Sequence, residues 1–247
     1  PYTTLFRSAF IGSVGDDKFG RGFRKLFNDL EVNTDFLQVS QEFPTRVVQV
    51  KCDKSGDRSF SGFKNIRSNL FADETLDKEK ITSDIVNLEK LFQETKFIVT
   101  GTIVLASERS SKALFFLIDY AKNFNIKIVI DLNWREVFWD HSKITKNVPM
   151  VERIKQIKKF LECADVLKLA HEEASLFFDN TDPIKISNSL QKTPDVIITN
   201  GGKSIHWFIN GIRGENKILN SIKIEDTTGA GDAFLAGIIS KLGYDST

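Results

Sequence analysis

The chain is 247 residues long and has no apolar run near the roughly 20 residues that a membrane-spanning helix needs, which excludes such a helix. Cysteine is scarce. Cys52 and Cys163 stand far apart, which excludes the disulfide framework of a small secreted domain and reads as reduced thiols in a cytoplasmic protein. The three histidines, His141, His171 and His206, show no zinc-site spacing. An excess of one charge is lacking too. With 34 basic and 33 acidic residues the formal net charge is +1, too little to draw nucleic acid to the molecule as a whole. Internal repeats and low-complexity linkers are also missing. The chain begins at Pro1, and PYTTLFRS has neither the apolar core of a signal peptide nor a clear period. Residues 1–8 therefore read as a non-native scar. The chain stops at Thr247, just after a helical pattern, and reads as a fragment.

What is present is an ordinary globular composition, 41% hydrophobic and 27% charged. The length suits one large α/β domain, or a main domain with a small appendage. AFIGSV (9–14) reads as a strand, followed by a helix over 18–30 with Phe19, Phe23, Leu26, Phe27 and Leu30 on one face. The texture then changes. RVVQVKC (46–52) and RSFSGF (58–63) alternate on either side of a DKSGD turn, which predicts a β-hairpin. From Lys96 onward strands and helices take turns. FIVTG, IKIVIDL (126–132), VLKL (166–169) and VIIT (196–199) read as strands. Helices are predicted after Ser107, over 150–163 and from His171. The stretch 204–224 reads as short antiparallel strands. Regular alternation of this kind predicts a mainly parallel sheet with helices on both faces, and ligands beyond the carboxyl ends of its strands.

EDTTGAGDAFLAGI (225–238) opens the last helix. Each glycine inside a helix costs up to about 1 kcal/mol against Ala, so the pattern needs a reason. With the helix starting near Gly229 or Ala230, the first-turn N–H groups lack intrahelical acceptors and favour an anion. Glycines at 229 and 231 leave no side chain in the way of a phosphate. Asp232 there makes sense if it faces a second substrate whose hydroxyl must lose a proton. The local pattern equally fits a plainer arrangement, in which Asp232 complements the helix dipole and the glycines allow close packing. IITNGGKS (197–204) ends like a P-loop, but Ile197 occupies the first glycine position within an apolar strand, so it is no Walker-A loop. Its turn, Thr199-Asn200-Gly201-Gly202, lies instead at a strand's carboxyl end. In DLNWR (131–135), extended chain points Asp131, Asn133 and Arg135 the same way, and Arg suits phosphate oxygens. Glu172 or Glu173 in KLAHEE (168–173) suits the water shell of a metal or, as plainly, the first turn of a helix. Arg58 and Phe60 share one face of the hairpin, which suits a lid or an oligomer contact.

EDTTGAGDAFLAGI resembles, nearly residue for residue, the C-terminal signature of the ribokinase-like carbohydrate kinases of the phosphofructokinase-B type. FIGSVGDDKFG, the two-stranded lid, DLNWR and TNGG agree in order and spacing, and PTRVVQV, GDRSF and DLNWR look most like fructokinases. The resemblance implies a ribokinase-like α/β domain over 9–247, truncated at both ends, with a β lid at about 40–66. It implies an ATP-dependent cytoplasmic sugar kinase, most like a fructokinase, that binds neither nucleic acid nor membrane and pairs as a homodimer through the lid. Asp232 would be the catalytic base, and Gly229, Ala230 and Gly231 the anion hole. Thr199, Gly201, Asn133 and Arg135 would bind the nucleotide, and Arg58 and Phe60 would close over the sugar. Glu173 would hold hydrated Mg2+, and Asp226 and Thr228 would lie by a K+ site. Ala170 departs from the family's Asn, and Ser204 stands where a Gly is common. A non-catalytic sugar- or nucleotide-binding protein and a nucleoside kinase are the other readings of the same scaffold.

Overall fold

The computed structural model describes residues 7–52, 58–64, 70–140, 150–217, 227 and 229–244. Strand β1 (Gly12–Gly15) leads through a tight turn into helix α1 (Lys18–Asp29) and pairs in parallel with β2 (Leu37–Ser40). Asp17 caps the helix. Its Oδ1 accepts from the N–H groups of Phe19 and Gly20 at 2.9 Å, and its Oδ2 from that of Thr45 at 2.7 Å. Burial raises the Asp17 carboxyl, but these hydrogen bonds outweigh it and hold the group below its ordinary range. Thr45 in turn accepts from the Gly15 N–H at 2.9 Å, so four backbone donors converge where the chain is about to enter the hairpin. The contact is close enough to need glycine. A Cβ on Gly15 would lie 2.6 Å from the Thr45 nitrogen, and one on Gly20 would overlap the Gly15 carbonyl oxygen.

The apolar stripe predicted on α1 is present, but it is largely open. Phe19, Phe23, Leu26 and Leu30 are exposed, and Phe27 packs on Phe10 with ring centroids 4.9 Å apart. The Lys64 ammonium of the following hairpin lies 5.7 Å from the Phe19 ring centroid.

The hairpin forms as predicted from β3 (Val47–Cys52) and β4 (Arg58–Lys64), antiparallel with an irregularity between Gln49 and Val50. Its base is latched to the body by Arg46. The guanidinium lies 4.6 Å from the Phe71 ring centroid and 5.2 Å from those of Phe63 and Phe138. Its Nε donates to the Asp73 carboxylate at 3.0 and 3.1 Å, and its Nη2 lies 3.2 Å from Glu74.

Two short helices, α2 (Lys78–Thr82) and α3 (Ile85–Gln93), precede β5 (Phe97–Thr100) and α4 (Glu108–Ala121). Next come β6 (Lys127–Asp131), α5 (Val137–Asp140), α6 (Met150–Leu161), β7 (Val166–Ala170) and α7 (His171–Phe178). The chain continues through α8 (Pro183–Asn188), β8 (Asp195–Thr199), β9 (Ile205–Ile209), β10 (Ile212–Asn216) and α9 (Ala230–Tyr244). Strands β5 to β8 are parallel, β9 and β10 run antiparallel at one edge, and the six form one sheet in the order β10-β9-β8-β7-β6-β5.

The middles of β6, β7 and β8 are buried on both sides because they are almost wholly apolar, and successive side chains take opposite faces. Ile128, Ile130, Leu167, Leu169, Val196 and Ile198 meet a core built with α3, α4, α6, α7 and α8. Val129, Val166 and Ile197 face the other way, onto Leu235 and Ile239 of α9. Among the described residues no helix is long and apolar enough to cross a membrane. Cys163 is a free thiol, and burial pushes it above its usual range.

Helix α1 holds two glycines with opposite expectations. Gly20→Ala should destabilise the fold by about 1–3 kcal/mol, as overpacking does, despite Ala's better helix propensity. Gly22, exposed with nothing within 4 Å of its Cβ position, should gain about 0.4–1 kcal/mol on the same substitution. Urea unfolding of the two variants beside the parent checks both signs.

Candidate active site

The carboxyl ends of the parallel strands bring together groups far apart in sequence. Asp131 ends β6, and Lys168, its register partner on β7, lies beside it. Both point to the face covered by α9, where their neighbours in the strands are Val129 and Val166. The Lys168 Nζ donates to both Asp131 carboxylate oxygens at 3.0 Å, with side chains only 9% and 11% exposed. Burial pushes the Asp131 carboxyl upward, against the opposing pull of the Lys168 cation. The charge of Asp232 adds a smaller upward push, and that of Arg135 a smaller pull down.

Glu173, in the first turn of α7, is buried beneath this pair and clamps two backbones. Its Oε1 accepts from the Trp134 N–H at 2.6 Å, and its Oε2 from that of Ala170 at 2.7 Å. Burial raises its carboxyl, and the two backbone donors pull it down. Trp134 is held further by ring contacts with Trp139 and Phe177, with centroids 5.4 and 5.6 Å away. Glu173 thereby ties the loop after β6 to the start of α7.

Helix α9 begins just above. Gly229 has φ +72°, a left-handed backbone that favours glycine, and turns the chain into the helix. Ala230 N–H donates to Thr227 O at 3.2 Å and Ala233 N–H to Gly229 O at 2.8 Å. The intervening N–H groups of Gly231 and Asp232 belong to the turn that a helix leaves without internal acceptors. A Cβ on Gly231 would lie 3.3 Å from the Lys168 Nζ, so the buried ammonium sits directly against the first turn. Asp232 is exposed there, close enough for its charge to act on Asp131.

At β8, the Thr199 hydroxyl donates to Leu169 O at 3.3 Å, tying strand to strand, and Gly201 makes the turn at φ +51°. Ile197 is buried in β8 itself, as expected for a strand and not a P-loop. The loop after β6 departs from the sequence expectation. Asn133 takes a left-handed backbone at φ +41°, so extended alternation ends at Leu132. Asp131 turns inward, while Asn133 and Arg135 are exposed, with the Arg135 Nη1 donating to Trp134 O at 2.9 Å. Arg58 and Phe60 lie in the backbone of β4, but their side chains fall outside the described residues, as do Asp226 and Thr228. Among the described residues no group of three or more His, Cys, Asp or Glu side chains is placed to hold a metal ion.

Lys168 is the residue that sequence reasoning passes over. Its one signal is a lone charge inside VLKL, a strand otherwise fit for burial on both faces.

A family model described as pfkB family carbohydrate kinase matches residues 4–243. The chain is 30% identical over 241 residues to a fructokinase of Vibrio alginolyticus, covering 96% of this chain and 71% of that protein. It is 28% identical over 244 residues to a probable fructokinase-6, chloroplastic, of Arabidopsis thaliana, covering 96% of this chain and 58% of the relative. A solved fructokinase from Vibrio cholerae O395 in a fructose, ADP and calcium ion bound form matches with TM-score 0.74 and 27% identity, over 96% of this chain and 71% of that one. The chain thus spans only 58% of the Arabidopsis relative's length and 71% of the Vibrio alginolyticus one.

The Glu173 clamp predicts a stability effect. Glu173→Gln leaves one acceptor oxygen for two backbone donors, and the orphaned N–H should cost about 1–3 kcal/mol. Thermal unfolding of the variant checks this, and an unchanged midpoint would refute the clamp.

Proposed function

Because this chain belongs to the pfkB family of carbohydrate kinases and carries their ribokinase-like α/β fold, we propose that it transfers the γ-phosphoryl group of ATP to a sugar hydroxyl. Fructose is the acceptor favoured by the names of its relatives. The observation that carries the reading is the exposed Asp232 in the first turn of α9, at the helix end and beside a buried Lys–Asp pair that lies against Gly231. A base and an anion-binding helix end stand side by side, as an alcohol attacking a phosphoryl group requires.

In this mechanism the sugar hydroxyl gives its proton to the Asp232 carboxylate as its oxygen bonds to the γ-phosphorus. The bond from that phosphorus to the β-phosphate oxygen breaks, and ADP leaves with the bonding pair. A carboxylate is far too weak a base to deprotonate an alcohol beforehand. It orients the hydroxyl and takes the proton as the bond forms, an effect typically of 10²–10⁴ in rate. The backbone of Gly229, Ala230 and Gly231 receives the phosphoryl group. Thr199, Gly201, Asn133 and Arg135 bind the rest of the nucleotide, and Arg58 and Phe60 on the lid cover the sugar.

Mg2+ would be brought with the nucleotide and would supply neutralisation of phosphate charge. Glu173 fits an outer role only: each of its oxygens already accepts a backbone N–H, and the lone pairs that remain suit a metal-bound water. Asp226 and Thr228 are the residues proposed for K+. A cytoplasmic setting and a second copy of the chain meeting the lid, where Val48 and Val50 are exposed, complete the reading.

The test follows ADP release with Mg-ATP and fructose, then ribose, glucose, 2-keto-3-deoxygluconate and adenosine. Fructose-dependent turnover should fall at least about a hundredfold in Asp232→Ala, the lower end for a lost general base. Turnover unaffected by the substitution would refute the assigned base. Nucleotide binding without turnover on any acceptor would instead favour a non-catalytic binding protein, and preference for adenosine a nucleoside kinase.

A further inference from the structure

Lys168 occupies a costly place. It stands on the β7 face that otherwise packs apolar side chains against α9, and the site of the chemistry makes no use of it in the reading above. A buried ion pair is weak support for a fold, since apolar residues of similar volume often serve stability as well or better. The pair therefore calls for another reason to exist.

Three observations supply one. The ammonium has three N–H donors, and two of them are met by the Asp131 oxygens at 3.0 Å. Among the described residues the third has no acceptor. The amine also lies against the first turn of α9, 3.3 Å from where a Gly231 Cβ would be, with no side chain at residue 231 to screen it. Finally, the positive end of a helix dipole repels a cation placed beside it. Asp131 offsets part of that repulsion, and an anion arriving at the helix end would offset the rest.

Resting on the kinase reading, we propose that Lys168 contacts the transferred phosphoryl group, donating its third N–H to a γ-phosphoryl oxygen at the amino end of α9. Asp131 is the positioning residue: it holds the ammonium in place through two hydrogen bonds. Lys168 retains its protons throughout, because the sugar's proton goes to Asp232 and the bonding pair leaves with ADP. The contact separates ATP from ADP, since only the triphosphate carries the group that Lys168 touches. Gly231 is then small for two reasons, to admit the phosphoryl group and to leave the ammonium uncovered.

The experiment measures binding by calorimetry, using the magnesium complexes of ADP and of the non-hydrolysable β,γ-imido analogue of ATP. The proteins are the parent, Lys168→Arg, Lys168→Met and the paired Asp131→Asn/Lys168→Gln variant, in which no buried charge is left unpaired. The paired variant should lose roughly ten- to a hundredfold in affinity for the imido analogue, the range of a hydrogen bond to a charged group. Its ADP affinity should stay within about threefold, with kcat lowered and the sugar KM unchanged. Lys168→Arg should keep most of the preference for the triphosphate. Equal losses for both nucleotides, or none, would overturn the proposal, as would failure of both Lys168→Met and the paired variant to fold. Parent protein that binds neither nucleotide and releases no ADP would instead sink the kinase reading itself. Parent turnover with an unchanged nucleotide preference in the variants would sink only the role of Lys168.

Discussion

A parallel sheet covered by helices on both faces leaves its strand ends as the place where polar groups reach solvent. Everything functional about this fold depends on that constraint. Along β6, β7 and β8 the side chains alternate between two apolar layers, and a charge within them is expensive. At the carboxyl ends the layers stop. Asp131, Lys168, Glu173, Thr199 and the first turn of α9 all lie there, gathered at one edge because the strands are in register. Chemistry on this scaffold gathers where the packing runs out.

The same constraint explains why the polar groups at these ends are so closely paired. Glu173 satisfies two backbone donors, and Lys168 and Asp131 satisfy each other. Each interaction crosses from one strand or loop to the next, so together they fix the spacing of the strand ends beneath α9. Asp232 stays exposed above them. The groups beneath it cannot move without leaving a buried charge or N–H unsatisfied, which suits the base proposed at Asp232. The hairpin is attached by a comparable device at its base, where Arg46 lies among three aromatic rings and two carboxylates. The two strands beyond that latch pair with no other strand among the described residues.

Much of this is legible before any coordinates. The β-branched runs of β6 and β8 predict doubly buried strands, the DKSGD turn predicts the hairpin, and the glycines before Asp232 predict a helix start open to an anion. The short helices α2, α3 and α8 escape the reading because none exceeds nine residues, too few turns for a stripe to stand out. For α8 the Asp182-Pro183 start was the available sign, with Asp182 capping Ile184 N–H at 2.9 Å. The loop after β6 misleads for a different reason. Alternation along DLNWR assumes extended chain, and the left-handed Asn133 breaks it, a conformation that Asn tolerates better than most residues but does not announce.

By itself the sequence determined the family pattern, the layers and the position of the helix that begins at the Gly-Ala-Gly turn. These are local properties, written in spacings of two and of 3.6 residues, and chain neighbours are enough to express them. Tertiary structure alone decided which polar groups meet. Lys168 finds Asp131 across 37 residues and Glu173 finds Trp134 across 39, distances over which periodicity carries no information. Only the registered pairing of β6 with β7 turns a lone lysine in an apolar strand into an ammonium lying under the first turn of α9.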